Sequence, residues 1–223
     1  MVRPANMTIR LAMTVLLWAL ASAASWAQET GGNIPGTARV IDRFRFSCEW
    51  GYVQSLYHDY HYNILSVEGY RINESYYGLD PAANGLVLIG AGFVFPGDKM
   101  IISLHGGYSG INEANRIIPA ILRFSFCPRT VSNEGVFYYA QAGTGFHVPS
   151  TLETRVSLLS GLGAGYRFPL TRRCSIDIIL SAMAAFSKPP IPNPDGPGYV
   201  AEENIRSNKA SYGALSLTIA VNL

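Results

Sequence analysis

The sequence predicts an all-β protein, an antiparallel up-and-down transmembrane β-barrel with eight strands, ten being the alternative. Three observations support this class. Segments of about ten residues alternate between apolar side chains and small or polar ones, which is the period of a strand. No segment after residue 27 is long and apolar enough for a membrane-spanning helix. Only 14% of the residues are charged, and they concentrate between the alternating segments.

The strands follow one another along residues 43–223. Predicted strands lie near 43–56, 61–72, 85–95, 99–109, 116–127, 135–147, 154–168, 173–186 and 210–223. Tight turns are predicted at INES (72–75), FPGDK (95–99) and FPLTRR (168–173). A long polar loop with five prolines covers 187–209. Short turns at one end and long loops at the other are typical of outer-membrane barrels.

Nine segments conflict with the even strand number that such barrels require. Eight strands result if residues 75–115 supply one spanning strand and an elaborated outer loop. Ten strands result if the same residues form an additional hairpin. We favour eight.

The alternation also predicts which face of each strand meets the lipid. In RFRFSCEWGY (43–52), Phe44, Phe46, Cys48, Trp50 and Tyr52 share one face, whereas Arg45 and Glu49 share the other. The polar faces of the strands are small and poor in Lys and Glu, unlike the water-exposed exterior of a soluble barrel. We therefore expect the apolar faces to point outward and the polar faces to fill the narrow interior of the barrel.

The first 27 residues have the features of a cleaved secretory signal. Arg3 and Arg10 precede the apolar run 11–23, and small residues follow before Gln28. Residues 28–42 are predicted to be a short periplasmic leader and 43–223 the barrel domain. Cleavage after Ala27 leaves 15 basic and 15 acidic residues. Because a nucleic-acid-binding protein needs a basic surface, this balance argues against a nucleic-acid partner. The predicted location is the bacterial outer membrane.

Cysteine and histidine patterns predict neither a disulfide framework nor a metal site. Cys48, Cys127 and Cys174 are an odd number, and the sequence leaves open whether two of them pair. His58, Asp59 and His61 lie in a segment predicted to be an outer loop, without a fixed fourth ligand. No cofactor is predicted.

Eight charged residues share the inward parity and are predicted to lie inside the barrel. In a lumen this narrow they must pair with each other or be hydrated. We interpret them as an ion-pair network that plugs the barrel, and a narrow ion-selective pore or a proton-handling site is the alternative. They are Arg45, Glu49, Glu68, Arg71, Arg123, Arg155, Arg167 and Asp177.

One group of residues suggests an enzyme. His147, Ser150 and Glu153 in HVPSTLE contain the residue types of a base, a nucleophile and an orienting carboxylate. Their spacing does not match the His-x-Ser pair of lipid A deacylases. No catalysis is therefore our prediction, with a lipid A-modifying hydrolase as the alternative.

Several segments together resemble a known family. GYRIN (69–73), IPAILRFSF (118–126), YYAQAGTGF (138–146), GLGAGYRFPLTRRCSIDI (161–178) and ALSLTIAVNL (214–223) are similar to the small outer-membrane β-barrel proteins of Bacteroidetes-type bacteria. The resemblance implies insertion by the outer-membrane assembly machinery, which reads the last strand. It specifies architecture and no activity.

The sequence thus predicts an integral outer-membrane barrel with a plugged polar interior and a structural or surface-interaction role through its outer loops. Outer-membrane lipid and lipopolysaccharide are its predicted surroundings. A lipid-modifying enzyme and a narrow porin-like channel are the alternatives.

Overall fold

Nine antiparallel strands and one short 3-10 helix make up the structure, a computed structural model that describes residues 43–66, 68–79, 81–112, 115–147, 156–171 and 174–223. The predicted signal (1–27) and leader (28–42) lie outside the described residues. The strands are β1 (Phe44–Leu65), β2 (Arg71–Gly78), β3 (Ala83–Val94), β4 (Met100–Asn112), β5 (Asn115–Phe126), β6 (Gly135–His147), β7 (Val156–Pro169), β8 (Ser175–Ser187) and β9 (Ile205–Asn222), with the 3-10 helix at Glu202–Asn204. Among the described residues, no helix is long and apolar enough to cross a membrane.

Eight of the nine strands close into a barrel. Their order is β1-β3-β4-β5-β6-β7-β8-β9, and β9 pairs back onto β1 from Ser47↔Asn222 to Ile64↔Ile205. Strand β2 stands outside this ring and pairs with the upper part of β1, from His58↔Gly78 to Leu65↔Arg71. The predicted fold class and the number of barrel strands are confirmed.

The reason for eight strands differs from the expectation. Residues 75–115 contribute two barrel strands, β3 and β4, and not one spanning strand with a loop. The number of barrel strands stays even because residues 44–65 form a single strand, whereas two strands, 43–56 and 61–72, were predicted to begin there. The predicted turn at 72–75 is wrong, since these residues lie within β2 and the chain turns at 66–70 instead.

A bulge between Ser55 and Tyr57 lets β1 continue and changes which of its side chains point inward. Below the bulge, the odd-numbered Val53 and Ser55 are buried in the barrel. Above it, His58 lies opposite the buried Tyr212, and their rings stack with centroids 5.0 Å apart. If the strict alternation of β1 is continued past the bulge, the residues that follow the bulge are assigned to the wrong face of the strand.

The two ends of the barrel differ. One end, here called the turn end, carries Arg43, Leu223 and the connections 95–99, 127–134 and 170–174. The other, here called the loop end, carries the β1–β2 hairpin and the segment 188–204. Strands β1 and β9, with 22 and 18 residues, are longer than the 12 to 14 residues of the other barrel strands and extend beyond them at the loop end.

Candidate functional site

The outer surface of the barrel wall is apolar. Large hydrophobic side chains on this surface are widely exposed, for example Leu162 at 67% and Leu180 at 59%. The neighbours that alternate with them, such as Ser181, are buried. This is the reverse of a soluble barrel, because apolar side chains left exposed in such numbers would associate in water. The orientation is the one expected of a transmembrane β-barrel.

Inside the barrel, Glu49 and Arg123 form an ion pair. The Arg123 Nη1 lies 2.8 Å from Glu49 Oε2, and the two residues are 5% or less exposed. Thr218 Oγ1 donates to Glu49 Oε1 over 2.7 Å, and Arg123 Nε donates to Gln141 Oε1 over 3.0 Å. Four strands therefore contribute to the pair, because Glu49, Arg123, Gln141 and Thr218 lie on β1, β5, β6 and β9.

An aromatic ring covers the guanidinium group of this pair. The Arg123 Cζ lies 4.2 Å from the centre of the Tyr139 ring, which is a cation–π contact. Gly163 on the neighbouring strand leaves the space that this ring occupies, since a Cβ at that position would overlap Tyr139. Because Gly163 has no side chain, the Tyr139 ring can lie at this position and cover the guanidinium group of Arg123.

A second ion pair lies nearer the turn end. Arg167 and Asp177 are directly opposite on β7 and β8, and their groups bind through two hydrogen bonds, Nε to Oδ1 at 2.8 Å and Nη2 to Oδ2 at 2.6 Å. Arg167 Nη1 also donates to the carbonyl oxygen of Val131 in the connection 127–134. The bidentate pair matches the planar guanidinium group to the carboxylate. The additional bond to Val131 connects the turn 127–134 to the barrel interior.

A small cavity lies beside both pairs. It has a volume of about 50 Å³ and is lined by Glu49, Arg123, Arg167, Asp177 and His105, among others. His105 is buried, its Nε2 lies 2.8 Å from Ser103 Oγ, and its Nδ1 has no hydrogen-bond partner among the described residues. Because one water molecule needs about 10–15 Å³ of such a cavity, the cavity has room for a few water molecules and for no larger solute.

The interior toward the loop end is largely apolar. A cluster of buried side chains from β1, β3, β4, β5, β7, β8 and β9 fills it, and its larger members are Val53, Leu86, Leu88, Ile111, Ile117, Ile121, Leu159, Met183 and Tyr212. Polar side chains such as Ser55 and Ser109 are buried among them, and a second apolar cluster with Val94, Phe137 and Ile179 lies nearer the turn end, so the lumen expected to be polar has a mixed filling. Both halves close the barrel.

The structure separates the eight charges predicted for the interior. Glu49, Arg123, Arg167 and Asp177 are buried there. Arg45 is half-buried and lines the cavities at the turn end. Arg155 lies outside the described residues.

Glu68 and Arg71 do not lie in the interior. Glu68 is exposed in the turn between β1 and β2, and Arg71 is exposed at the start of β2, where its Nε donates to Asn63 Oδ1. Their assignment was wrong because residues 61–72 form the end of one strand, a turn and the start of another, so that no single parity runs through them.

The suggested catalytic residues are only partly described. His147, at the end of β6, lies with its Nε2 2.5 Å from the Oγ of Ser157 on β7. Ser150 and Glu153 lie outside the described residues. Ser157 is buried, with 2% of its surface exposed.

The other chemical groups considered from the sequence are placed as follows. His58, Asp59 and His61 belong to strand β1 and not to a loop. The described residues contain no group of three or more His, Cys, Asp or Glu side chains suited to hold a metal ion. Cys48, Cys127 and Cys174 are all free thiols.

At the loop end, the long segment 188–204 is attached to the β1–β2 turn. Asp195 accepts hydrogen bonds from Ser66 Oγ and from Tyr70 Oη, the latter over 2.7 Å. The bond to Asp195 raises the pKa of Tyr70. On the hairpin itself, Tyr62 donates to Glu74 across the strands, and this bond raises the pKa of Tyr62 to about 12.

Sequence reasoning did not identify the neutral partners of the ion pairs. Thr218, Gln141 and Tyr139 all have the inward parity of their strands, but uncharged residues at such positions carry no signal of a specific partner. His105 was also missed, because its strand is apolar on both faces near Ile101 and Leu104.

In comparisons with known proteins, matches are found among solved structures only. No protein-family model matches the chain, and no curated protein matches it. The outer membrane protein OprG from Pseudomonas aeruginosa is 14% identical, with 80% of this chain and 95% of that one covered and a TM-score of 0.41. Ail, the attachment invasion locus protein of Yersinia pestis, is 16% identical, with 80% and 98% covered and a TM-score of 0.37. Neisserial surface protein A is 13% identical, with 80% and 96% covered and a TM-score of 0.38.

At such scores the class of this protein rests on its own strand pairing and side-chain distribution. The closed antiparallel ring of eight strands, apolar outside and filled inside, defines a small transmembrane β-barrel.

Proposed function

We propose that this chain is an integral outer-membrane barrel with a closed interior, which acts structurally or through surface contacts at its loop end. The observation that carries the proposal is the apolar outer wall around a filled interior. A closed barrel leaves no unpaired strand edge within the hydrocarbon, so it suits a bilayer. The turn end would face the periplasm and the loop end the outside.

The closed interior argues against the porin-like alternative. The two ion pairs, the ring of Tyr139 and the apolar cluster occupy successive parts of the lumen. Eight-stranded barrels are in general just wide enough for side chains to fill them. A solute would have to displace buried apolar side chains and also separate a buried charge pair.

The loop end offers the surface for contacts outside the cell. Tyr76 and Tyr77 on β2 are 59% and 71% exposed, and the segment 188–204 is held beside the β1–β2 turn through Asp195. Tyrosine is enriched in interfaces because a rigid ring loses little conformational entropy on binding. The hairpin and the anchored segment would form one exposed platform.

Further parts of the proposal come from the sequence. Residues 1–27 would act as a cleaved export signal and residues 28–42 as a periplasmic leader. The assembly machinery of the outer membrane would insert the barrel, and lipid with lipopolysaccharide would surround it. Membership of the Bacteroidetes-type family stays a prediction.

The deciding experiment combines a folding assay with conductance. The purified protein, refolded in detergent, is expected to run as a compact band that shifts on boiling. Reconstituted at the same protein density as a known porin, it is expected to show no unitary conductance in planar bilayers. Regular channel openings would contradict the closed interior, and recovery of the mature chain as a detergent-free soluble protein would contradict the membrane assignment.

The enzyme alternative has a separate test. Replacement of His147 by Ala is expected to leave the mass profile of lipid A in producing cells unchanged, since the hydroxyl beside this imidazole is buried. Loss of a lipid A modification in the variant, with the heat-modifiable band retained, would instead establish the hydrolase.

A further inference from the structure

A groove on the outer face of the barrel wall combines apolar and basic side chains. It has a volume of about 720 Å³ and is lined by residues of β1, β6, β7, β8 and β9 together with Lys188. The pairing of the strands shows which lining residues lie side by side. Leu158 pairs with Phe186, Phe186 with Ser211 and Ser211 with Asp59, which makes one row across four strands.

A second row lies next to the first, nearer the loop end. Two residues along from Asp59 and Ser211, His61 pairs with Lys209. Lys188 follows β8 two residues after Phe186 and lines the same groove. Both lysines are exposed. The groove therefore has a lower row with two large apolar side chains and an upper row with two ammonium groups and an imidazole, next to the apolar Val156 on β7.

The height of Phe186 and Lys188 follows from the geometry of strand β8. On β8, the outward positions run from Ile176 to Phe186, ten residues apart. At about 3.3 Å per residue and a tilt of about 40°, they rise about 25 Å along the barrel axis, which is the height of the apolar band of such barrels. Phe186 thus marks the upper edge of the band, and Lys188 lies immediately above it.

Immediately above the band lies the layer of lipid phosphates. An ammonium group at that height meets phosphate, while the apolar Leu158 and Phe186 of the lower row meet acyl chains. Among the residues that the structure describes, neither Lys188 nor Lys209 forms an ion pair. One carboxylate, that of Asp59, lies in the lower row, so the charge of the upper row is positive.

We propose that this groove binds lipid A of lipopolysaccharide, a phosphate on Lys188 and Lys209 and an acyl chain along Leu158 and Phe186. Both rows are needed for this assignment, because a free anion would use only the lysines and a neutral lipid only the apolar pair. The inference rests on the outer-membrane location proposed above and adds a specific lipid and its site.

The test measures lipid binding to the folded full-length mature protein in neutral detergent. The probes are bisphosphorylated lipid A, the same lipid without its phosphates, and phosphatidylglycerol. The variant Lys188→Ala/Lys209→Ala is compared with Lys99→Ala/Arg129→Ala, which removes two exposed cations at the turn end. At about 1 kcal/mol per cation, the first variant is expected to bind lipid A roughly thirtyfold more weakly than the wild type and the second equally well.

The other probes complete the expectation. Dephosphorylated lipid A should bind the wild type as weakly as lipid A binds the lysine variant. Unchanged affinity in that variant, or phosphatidylglycerol binding as tight as lipid A, would overturn the proposal. The heat-modifiable band is recorded for every sample, so a protein that fails to fold as a barrel contradicts the proposed function, whereas a folded barrel without lipid selectivity contradicts only this inference.

Discussion

At the scale of single residues, the buried Glu49–Arg123 pair shows why charge can be kept inside a barrel. Each group would cost several kcal/mol to bury alone, and the cost is offset here by the opposite charge, by Thr218 and Gln141, and by the Tyr139 ring. The net contribution of such a pair to stability is small, but the loss of one partner is severe.

The variant Glu49→Ala is therefore expected to lower the free energy of unfolding by about 3–5 kcal/mol, because Arg123 is left buried without a counter-charge. Urea unfolding in lipid vesicles measures the change. Glu202→Gln, at an exposed carboxylate, is the control and should change the value by less than about 0.5 kcal/mol. The double variant Glu49→Leu/Arg123→Met should recover most of the loss. If it is as unstable as the single variant, packing and not charge explains the effect.

Gly163 is a second critical residue, since the Tyr139 ring occupies the place of its missing side chain. Gly163→Ala is expected to destabilise the barrel by about 1–3 kcal/mol through overpacking. Gly85→Ala serves as the control, because a Cβ there meets no atom within 4 Å. The change Tyr139→Leu, made together with Gly163→Ala, should relieve part of the cost. A Gly163→Ala protein as stable as the control would show that the ring moves freely.

At the scale of elements, strand β1 has the largest influence on the architecture. It pairs with β3 below, with β2 above and with β9 along most of its length. Its bulge at Ser55–Tyr57 allows one chain segment to belong both to the barrel and to the projecting hairpin. Without the bulge, the stacked ring of His58 would point outward.

The attachment of segment 188–204 can be tested at this scale. Asp195→Ala removes the acceptor of both Ser66 and Tyr70, so the segment is expected to open more often. Cleavage within it by proteinase K should become several-fold faster, because proteolysis follows the population of the open form. Glu203→Ala, in the same segment, is the control. Equal cleavage rates in the two variants would mean that prolines, and not Asp195, hold the segment in place.

At the scale of the whole molecule, the outward direction of the apolar faces decides the environment. Leu180 is in the middle of the outward positions of β8 and is 59% exposed to the surroundings of the barrel. Leu180→Arg is expected to cost about 2–4 kcal/mol in a bilayer, whereas Phe186→Arg, at the edge of the band, should cost about 0–1 kcal/mol from lipid exposure. Unfolding from vesicles measures both. Equal costs at the two depths would contradict the membrane-spanning orientation.

Alternation in the sequence was enough to predict the barrel class, the outward apolar faces and four buried charges. Where both faces of a strand are apolar, as in Leu86–Ile89 of β3, the alternation carries no signal, and the apolar cluster at the loop end was not foreseen. Where a strand bulges or a hairpin turns, as at Ser55–Tyr57 and around Glu68, the parity changes and predictions made from it are wrong.

The amino-acid sequence by itself determined that the strands are amphipathic with a period of two, because side-chain polarity is a local property of the chain. Only the tertiary structure decided which charged side chains form pairs. It also decided that the Tyr139 ring leaves no room for a side chain at position 163 and that Lys188 and Lys209 line one groove. These depend on register and closure, which bring together residues as distant as Glu49 and Thr218. No local pattern contains that information.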